Sequence, residues 1–296
     1  MVKIKKKFPP VIKWSGSKRN IACNISEFIP DSNRYFEPFL GGGALLPFRK
    51  IEQGYASDII PELIALWTAI KTEPEIVSAE YKKRWNRLQK EGYEVFYRVR
   101  ENFNDTRDIN DFLFLTRTCV NGLIRYNTKG DFNNSFHLTR PGINPNSLKE
   151  IIYQWHFIIK DIDFYNCDYR ELTATAKNGD FIFFDPPYGG TKGRYTQEPF
   201  DIVDFFNELS RLNNKGVKWI LTFDGQAGCR NYKYELPLDL YSHKLNMKTG
   251  HSPFTKLMNT TIDDVNESVY LNFKPISKYS TTVFDNITNE LTLFSK

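Results

Sequence analysis

The chain has 296 residues, enough to bury the core of one large domain or two modest ones, and its 41% hydrophobic and 25% charged content excludes wholesale disorder. A net charge of +5 permits a polyanionic partner without requiring one. No apolar run reaches membrane-spanning length, the start lacks a signal-peptide core, and Cys23, Cys119, Cys167 and Cys229 are widely scattered, which predicts a soluble cytoplasmic protein with free thiols.

Taken in chain order, Lys3, Lys5, Lys6, Lys7, Lys13, Lys18 and Arg19 crowd the beginning. Such a run is most often a solvated face. Within it, "KWSGSK" offers Trp14 as an aromatic wall and Lys18 as a cation for a cofactor's carboxylate. Short apolar runs predict strands at 34–37, 55–57, 162–166, 181–184 and 217–223, with helices over 61–71 and 201–212. Strands alternating with helices predict an α/β fold, a sheet with helices on both faces. The alternation breaks from about 73 to 147, which reads as helical and polar, with a second basic cluster at Lys82, Lys83, Arg84 and Arg87. That stretch is expected to be a smaller, mainly helical inserted domain, leaving 1–72 and 148–296 for the main one.

"RYFEPFLGGGALL" sets a strand, then Gly41, Gly42 and Gly43, then an apolar helix start. Glycines there allow close approach of a ligand to the backbone, and Asp58 follows at the spacing of an acid that bonds ribose hydroxyls. Leu46 occupies the place of a third fingerprint glycine, and there is no G-K-[ST]. A nucleoside cofactor without a pyrophosphate fits better, S-adenosyl-L-methionine being the obvious one.

"FIFFDPPYGG" places Asp185 at the end of an apolar strand, where open α/β sheets hold ligands. Pro186 and Pro187 lack N–H groups, so the turn presents acceptors. A carboxylate and a carbonyl accepting from both hydrogens of a conjugated amine draw its nitrogen toward tetrahedral geometry, and Tyr188 can stack on the base. In "GGTKGRYTQEPF", Lys192 and Arg194 can meet phosphates and Phe200 can flank a base. His137, His156, His243 and His251 show no metal-ligand spacing, and no metal is expected.

In the order "KWSGSK", "FEPFLGGGAL", "SDIIPELI", "NGLIRYNTKGDFNNSF", "FFDPPY", the chain resembles the Dam-like DNA adenine methyltransferases. The resemblance implies a Rossmann-like methyltransferase sheet with 73–147 as a target-recognition insert. It implies transfer of a methyl group from S-adenosyl-L-methionine to the exocyclic amine of a flipped adenine in double-stranded DNA, leaving S-adenosyl-L-homocysteine. Cofactor binding would fall to Trp14, Lys18, Glu37, Phe39, Gly41, Gly43, Asp58 and Asp168, catalysis to Asp185, Pro186 and Tyr188, and base contact to Asn121 and Arg125. An arginine bidentate on guanine is a sound reader. Ser17 replaces a glycine of the usual first motif, and Val120 stands where relatives carry a duplex-opening tyrosine. The details of flipping and a GATC target are therefore left open.

Cytosine-C5 chemistry is excluded, because no cysteine follows a proline. Cytosine-N4 methylation, normally with serine in place of Asp185, and an inactive DNA-binding protein on the same fold stay open as alternatives. A monomer is expected, either as a solitary modification enzyme or with a cognate restriction endonuclease acting separately.

Overall fold

The structure is a computed structural model and describes residues 7–187, 200–223, 226–227, 235–251 and 264–275. A short helix α1 (Ala22–Ser26) leads into β1 (Tyr35–Glu37), β2 (Gly54–Asp58) and α2 (Pro61–Thr72). Pro61 opens α2, where its missing N–H costs no helical bond. Then come α3 (Pro74–Glu91), α4 (Glu94–Thr106), α5 (Ile109–Thr118) and α6 (Pro145–Ile158). The chain continues through β3 (Ile162–Asn166), α7 (Tyr169–Thr173), β4 (Phe181–Phe184), α8 (Ile202–Asn214) and β5 (Lys218–Thr222). β6 (Gln226–Ala227), β7 (His243–His251) and β8 (Asp264–Leu271) end the described sheet.

Among the described residues the sheet has eight strands in the order β3-β2-β1-β4-β5-β8-β6, with β7 on the other side of β8. β3, β2, β1, β4 and β5 run parallel, and β8 is antiparallel to β5, β6 and β7. Strand alternation divides the apolar residues between two cores. Phe181, Phe183, Ile220, Val269 and Leu271 face one; Ile182, Phe184, Trp219, Leu221 and Tyr270 face the other. The first is closed by Ile25 of α1, Leu63 and Trp67 of α2, and Leu148 and Ile152 of α6. The second is closed by Tyr169 and Leu172 of α7 and by Phe205, Leu209 and Leu212 of α8, spaced one helical turn apart. Burial on both faces explains why β4 is an unbroken apolar run.

α3 packs on α5 and α6, α4 on α5, and α5 on α2. Their apolar faces extend the first core through Tyr81, Phe96, Phe103, Phe112 and Phe114. Arg84, part of the basic cluster in the sequence, is spent internally. Its guanidinium lies 2.6 Å from Asp111 and 3.2 Å from Asp108, joining α3 to α5.

Two local features differ from the sequence reading. The glycine turn is followed by a 3-10 turn, Leu46–Phe48, rather than an α-helix. Pro47 inside "LPF" lacks the N–H that a longer helix would use. The C-terminal strands β6 to β8 complete the sheet from a region with no strong apolar run.

Candidate active site

The parallel strands bring one acid after another to their carboxyl edge. Glu37 ends β1, Asp58 ends β2, Asp168 lies two residues past β3, and Asp185 directly follows β4. β2 and β3 lie to one side of β1, and β4 and β5 to the other, so the chain reverses its strand order between β1 and β4. Such a reversal opens a crevice at the carboxyl edge. Glu37 and Asp185 flank it.

Asp185 is held asymmetrically. Its Oδ1 lies 2.9 Å from Lys18 Nζ and accepts the Thr222 hydroxyl at 2.8 Å. Among the described residues Oδ2 accepts no hydrogen bond. Burial raises the carboxyl's pKa, and the Lys18 ammonium opposes that rise. Lys18, expected beside a cofactor carboxylate, is only 4% exposed and sits between Asp185 and Glu267 of β8, the second at 3.4 Å. Two carboxylates thus share one ammonium. Pro186 is buried next to Asp185. Tyr188, Lys192 and Arg194 lie outside the described residues.

Glu37 is buried and accepts the Tyr35 hydroxyl at 2.7 Å. Burial pushes its carboxyl up to about 8, with the charge of Asp185 adding to the rise. Asp58 closes the glycine turn: it accepts from Gly41 N–H at 3.0 Å and from Ile60 N–H at 3.2 Å. Burial pushes Asp58 up to about 6 against those backbone donors.

The turn's glycines have a reason beyond ligand approach. Gly41 has φ 46° and Gly43 φ 59°, the left-handed region. A Cβ on Gly41 would lie 2.6 Å from Trp14 Nε1, so Trp14 packs directly across the turn. Trp67 Nε1 donates to Gly41 O at 3.0 Å from below. Gly41→Ala is expected to cost about 1–2 kcal/mol from φ alone, besides displacing Trp14. Thermal unfolding measures the loss.

Phe39 stacks on Tyr169 with centroids 5.3 Å apart and meets Phe200 edge-on at 5.8 Å. Phe200 therefore belongs to an aromatic cluster with Phe39, Tyr169 and Phe205. Asp168 caps α7 through Arg170 N–H at 3.0 Å and pairs with the Arg170 guanidinium at 2.7 Å.

Asn121 and Arg125 are exposed on an arch between Cys119 and Phe136. Asn121 takes φ 56°, which asparagine tolerates better than most residues. Asn134 Nδ2 donates to Val120 O at 2.9 Å and Leu123 O at 2.8 Å, and Asn133 N–H donates to Arg125 O at 2.9 Å. A Cβ on Gly122 would lie 2.5 Å from Lys13 Cβ, so the arch rests against the segment bearing Trp14 and Lys18.

Sequence reasoning missed Thr222 and Glu267. The only local signal for Glu267 was an acid at a strand position sharing a face with Val269. Among the described residues no three His, Cys, Asp or Glu side chains are grouped to hold a metal, and no helix is long and apolar enough to cross a membrane.

Residues 14–249 match a family model described as D12 class N6 adenine-specific DNA methyltransferase. A DNA adenine methylase from Vibrio cholerae serotype O1 is 32% identical over 187 residues, covering 62% of this chain. The match spans 66% of that relative, just under two thirds of its length. The type II methyltransferase M.MjaIII of Methanocaldococcus jannaschii is 28% identical over 247 residues, covering 72% of this chain and 83% of its own. The DNA N-6-adenine-methyltransferase of Escherichia phage P1 is 27% identical over 241 residues, 76% of this chain and 31% of its own. With the acid-lined carboxyl edge, the reversal between β1 and β4 and a model match running from Trp14 into β7, the chain belongs to the D12 class N6 adenine-specific DNA methyltransferases.

Proposed function

We propose that the chain transfers a methyl group from S-adenosyl-L-methionine to the N6 amine of adenine in double-stranded DNA. The observation that carries the reading is Asp185. Its Oδ1 is fixed by Lys18 and Thr222 and, among the described residues, its Oδ2 is left to accept, at the mouth of the β1/β4 crevice.

Asp185 and Glu37 bring two carboxyls to the crevice, and Glu37, largely protonated near neutral pH, can ionise to meet a cationic cofactor. Glu37, the Gly41–Gly43 turn, Asp58 and the Trp14 ring would hold it, with Phe39 beside them. When bound, S-adenosylmethionine supplies an electrophilic methyl group on a positively charged sulfur.

Asp185 Oδ2 would accept one N–H of the flipped adenine amine, and the Pro186 carbonyl is proposed for the other. Withdrawing both hydrogens from the ring plane localises the nitrogen lone pair and aims it across the crevice. The nitrogen sheds one proton on methylation, and the half-buried Asp185 carboxylate is proposed as the base that receives it. Lys18 keeps Asp185 ionised before that moment. Tyr188 is proposed as the stacking ring, with Asn121 and Arg125 on target bases and Lys192 and Arg194 on phosphates. Residues 73–147 are proposed as the recognition unit.

Purified chain incubated with S-adenosyl-[methyl-³H]methionine and duplex DNA should label the DNA. No label on DNA containing every short sequence context would overturn the reading.

Glu37 supplies a pH test. Its carboxyl titrates at about 8 in the folded chain, against an ordinary value of 4.5. Between those values the folded state holds the extra proton, so stability falls as pH rises through the window. Glu37→Gln should therefore unfold at a higher temperature than wild type at pH 8 and at nearly the same temperature at pH 5. A cation binds the carboxylate form, so affinity for S-adenosylmethionine should rise with pH toward 8 and then level. Calorimetric titration without DNA should show proton release near neutral pH in wild type, and less in Glu37→Gln. Equal release in both proteins would refute the assignment.

A further inference from the structure

Among the described residues the buried acids are Glu37, Asp111, Asp180, Glu208 and Glu267. All but the first meet a cation: Asp111 lies 2.6 Å from Arg84, Asp180 3.1 Å from Arg34 Nε, Glu208 2.6 Å from Arg211, and Glu267 3.4 Å from Lys18. Glu37, only 2% exposed at the end of β1, meets none among the described residues. The hydrogen bond its carboxyl does receive comes from the Tyr35 hydroxyl, which donates to Oε2 at 2.7 Å. Oε1 accepts none among the described residues. A buried acid without a cation is a place for a cation to arrive.

Tyr35 is set beside Glu37 by the strand itself. Residues two apart on β1 share a face, so the phenol and the carboxyl lie next to each other. β1 runs between β2 and β4, with Tyr35 in register with Gly54 and Phe181. The Phe181 ring lies 5.9 Å from the Tyr35 ring, in the core closed by α1 and α2. Phenylalanine would serve that packing without a buried hydroxyl that needs a partner. Burial and the charge of Glu37 push the Tyr35 pKa well above the ordinary phenol value, so the hydroxyl stays a donor. The influences on Glu37 are opposed: burial raises its pKa, the Tyr35 hydrogen bond lowers it, and Asp185 at the end of β4 raises it. The Lys18 ammonium lies against Asp185 and Glu267.

We propose that Tyr35 is a positioning residue for cofactor binding: its hydroxyl holds one oxygen of the Glu37 carboxyl and leaves the other to a cationic group of S-adenosyl-L-methionine. A hydrogen bond to an ionised carboxylate favours that form, so the phenol readies Glu37 for a cation. The inference rests on the reading of this chain as an S-adenosylmethionine-dependent enzyme. The cofactor carries two candidate groups, its α-ammonium and its sulfonium, and S-adenosylhomocysteine keeps only the first.

The test measures binding of S-adenosylmethionine and S-adenosylhomocysteine by calorimetry without DNA, across pH 6 to 8.5. It compares wild type, Tyr35→Phe, Glu37→Gln and the double variant, so that ionisation of the ligand itself cancels at each pH. Tyr35→Phe keeps the ring and loses the donor, and S-adenosylmethionine should bind about 10-fold more weakly at pH 7. The gap should narrow toward pH 8.5, where Glu37 ionises without help. In the Glu37→Gln background the same replacement should change affinity by less than about twofold. In methyl-transfer assays KM for S-adenosylmethionine should rise more than kcat falls. Weakening of both ligands assigns the contact to the α-ammonium, and weakening of S-adenosylmethionine alone assigns it to the sulfonium; either supports the inference. Tyr35→Phe binding like wild type at every pH, with a lowered unfolding temperature or without, would make the hydroxyl structural and overturn it. An equal loss in the Glu37→Gln background would overturn it too, because the hydroxyl would then act without Glu37. If Tyr35→Phe does not fold, a fluorotyrosine at position 35, the stronger donor, decides: affinity below pH 8 should rise, and unchanged affinity overturns the proposal. Wild type failing to bind S-adenosylmethionine at all would instead remove the cofactor reading itself.

Discussion

Asp185→Ala should lower the rate of methyl transfer on the order of 10³-fold, the scale of losing a positioned acid–base group. S-adenosylmethionine affinity should change little, because Glu37, Asp58 and the glycine turn remain. The carboxylate's place explains the expected size. Asp185 stands where β4 meets the crevice, and its Oδ1 is immobilised by Lys18 at 2.9 Å and Thr222 at 2.8 Å. That leaves Oδ2 at one fixed angle, a preorganisation that the alanine variant cannot regain from water. Asp185→Asn separates charge from shape. Its amide can still accept through oxygen but cannot take a proton, so it should also be severely impaired in single-turnover assays. An asparagine variant as fast as wild type would mean that Asp185 orients the amine without acting as a base.

Lys18→Met should have the second largest effect, and for a different reason. Removing the ammonium takes from Asp185 and Glu267 the cation that lies 2.9 and 3.4 Å from them. Breaking one side of a buried pair costs about 3–5 kcal/mol of stability. The Lys18 charge is also what opposes the rise of the Asp185 pKa. Without it Asp185 holds its proton to higher pH, so the rate should fall at neutral pH and recover partly as pH rises. The double variant Lys18→Met with Glu267→Gln should regain part of the lost stability, because one of the two carboxylates that faced the ammonium is gone. If Lys18 acted only on the cofactor's carboxylate, the variant would weaken cofactor binding and leave the pH–rate profile in place. Measured profiles of kcat and of S-adenosylmethionine affinity separate the two outcomes.

The parts legible in sequence were those fixed by local pattern. β4 was readable as "FIFF" because burial on both faces leaves no polar residue in it. β3 and the two helices around Pro61 and Phe205 follow directly from apolar spacing and their first-turn residues. The spacing from the glycine turn to Asp58 was legible as that of a ribose-binding acid, whereas the 3.0 Å hydrogen bond from Gly41 N–H to Asp58 was not. What stayed hidden depends on pairs distant in the chain. Lys18 reads as a surface cation until β8, some 250 residues on by the scale of a 296-residue chain, delivers Glu267 beneath it. Thr222 is an ordinary strand-end threonine until β5 pairs with β4 and sets it against Asp185. Arg84 looked like part of a solvated basic run and is half-buried against α5. Arg117 shows the reverse: nothing local marks an arginine that folding buries without a carboxylate. β6 to β8 escaped because antiparallel strands at a sheet margin carry weaker apolar signals than the central ones.

The assignment of adenine N6 chemistry to the Asp185 site meets its most direct test in one measurement. DNA from methylation-deficient cells expressing the wild-type chain or Asp185→Ala is digested to nucleosides and analysed by mass spectrometry. N6-methyladenine with wild type, and its loss with well-folded Asp185→Ala, is the predicted result. N4-methylcytosine in its place, or N6-methyladenine persisting in the variant, would contradict it.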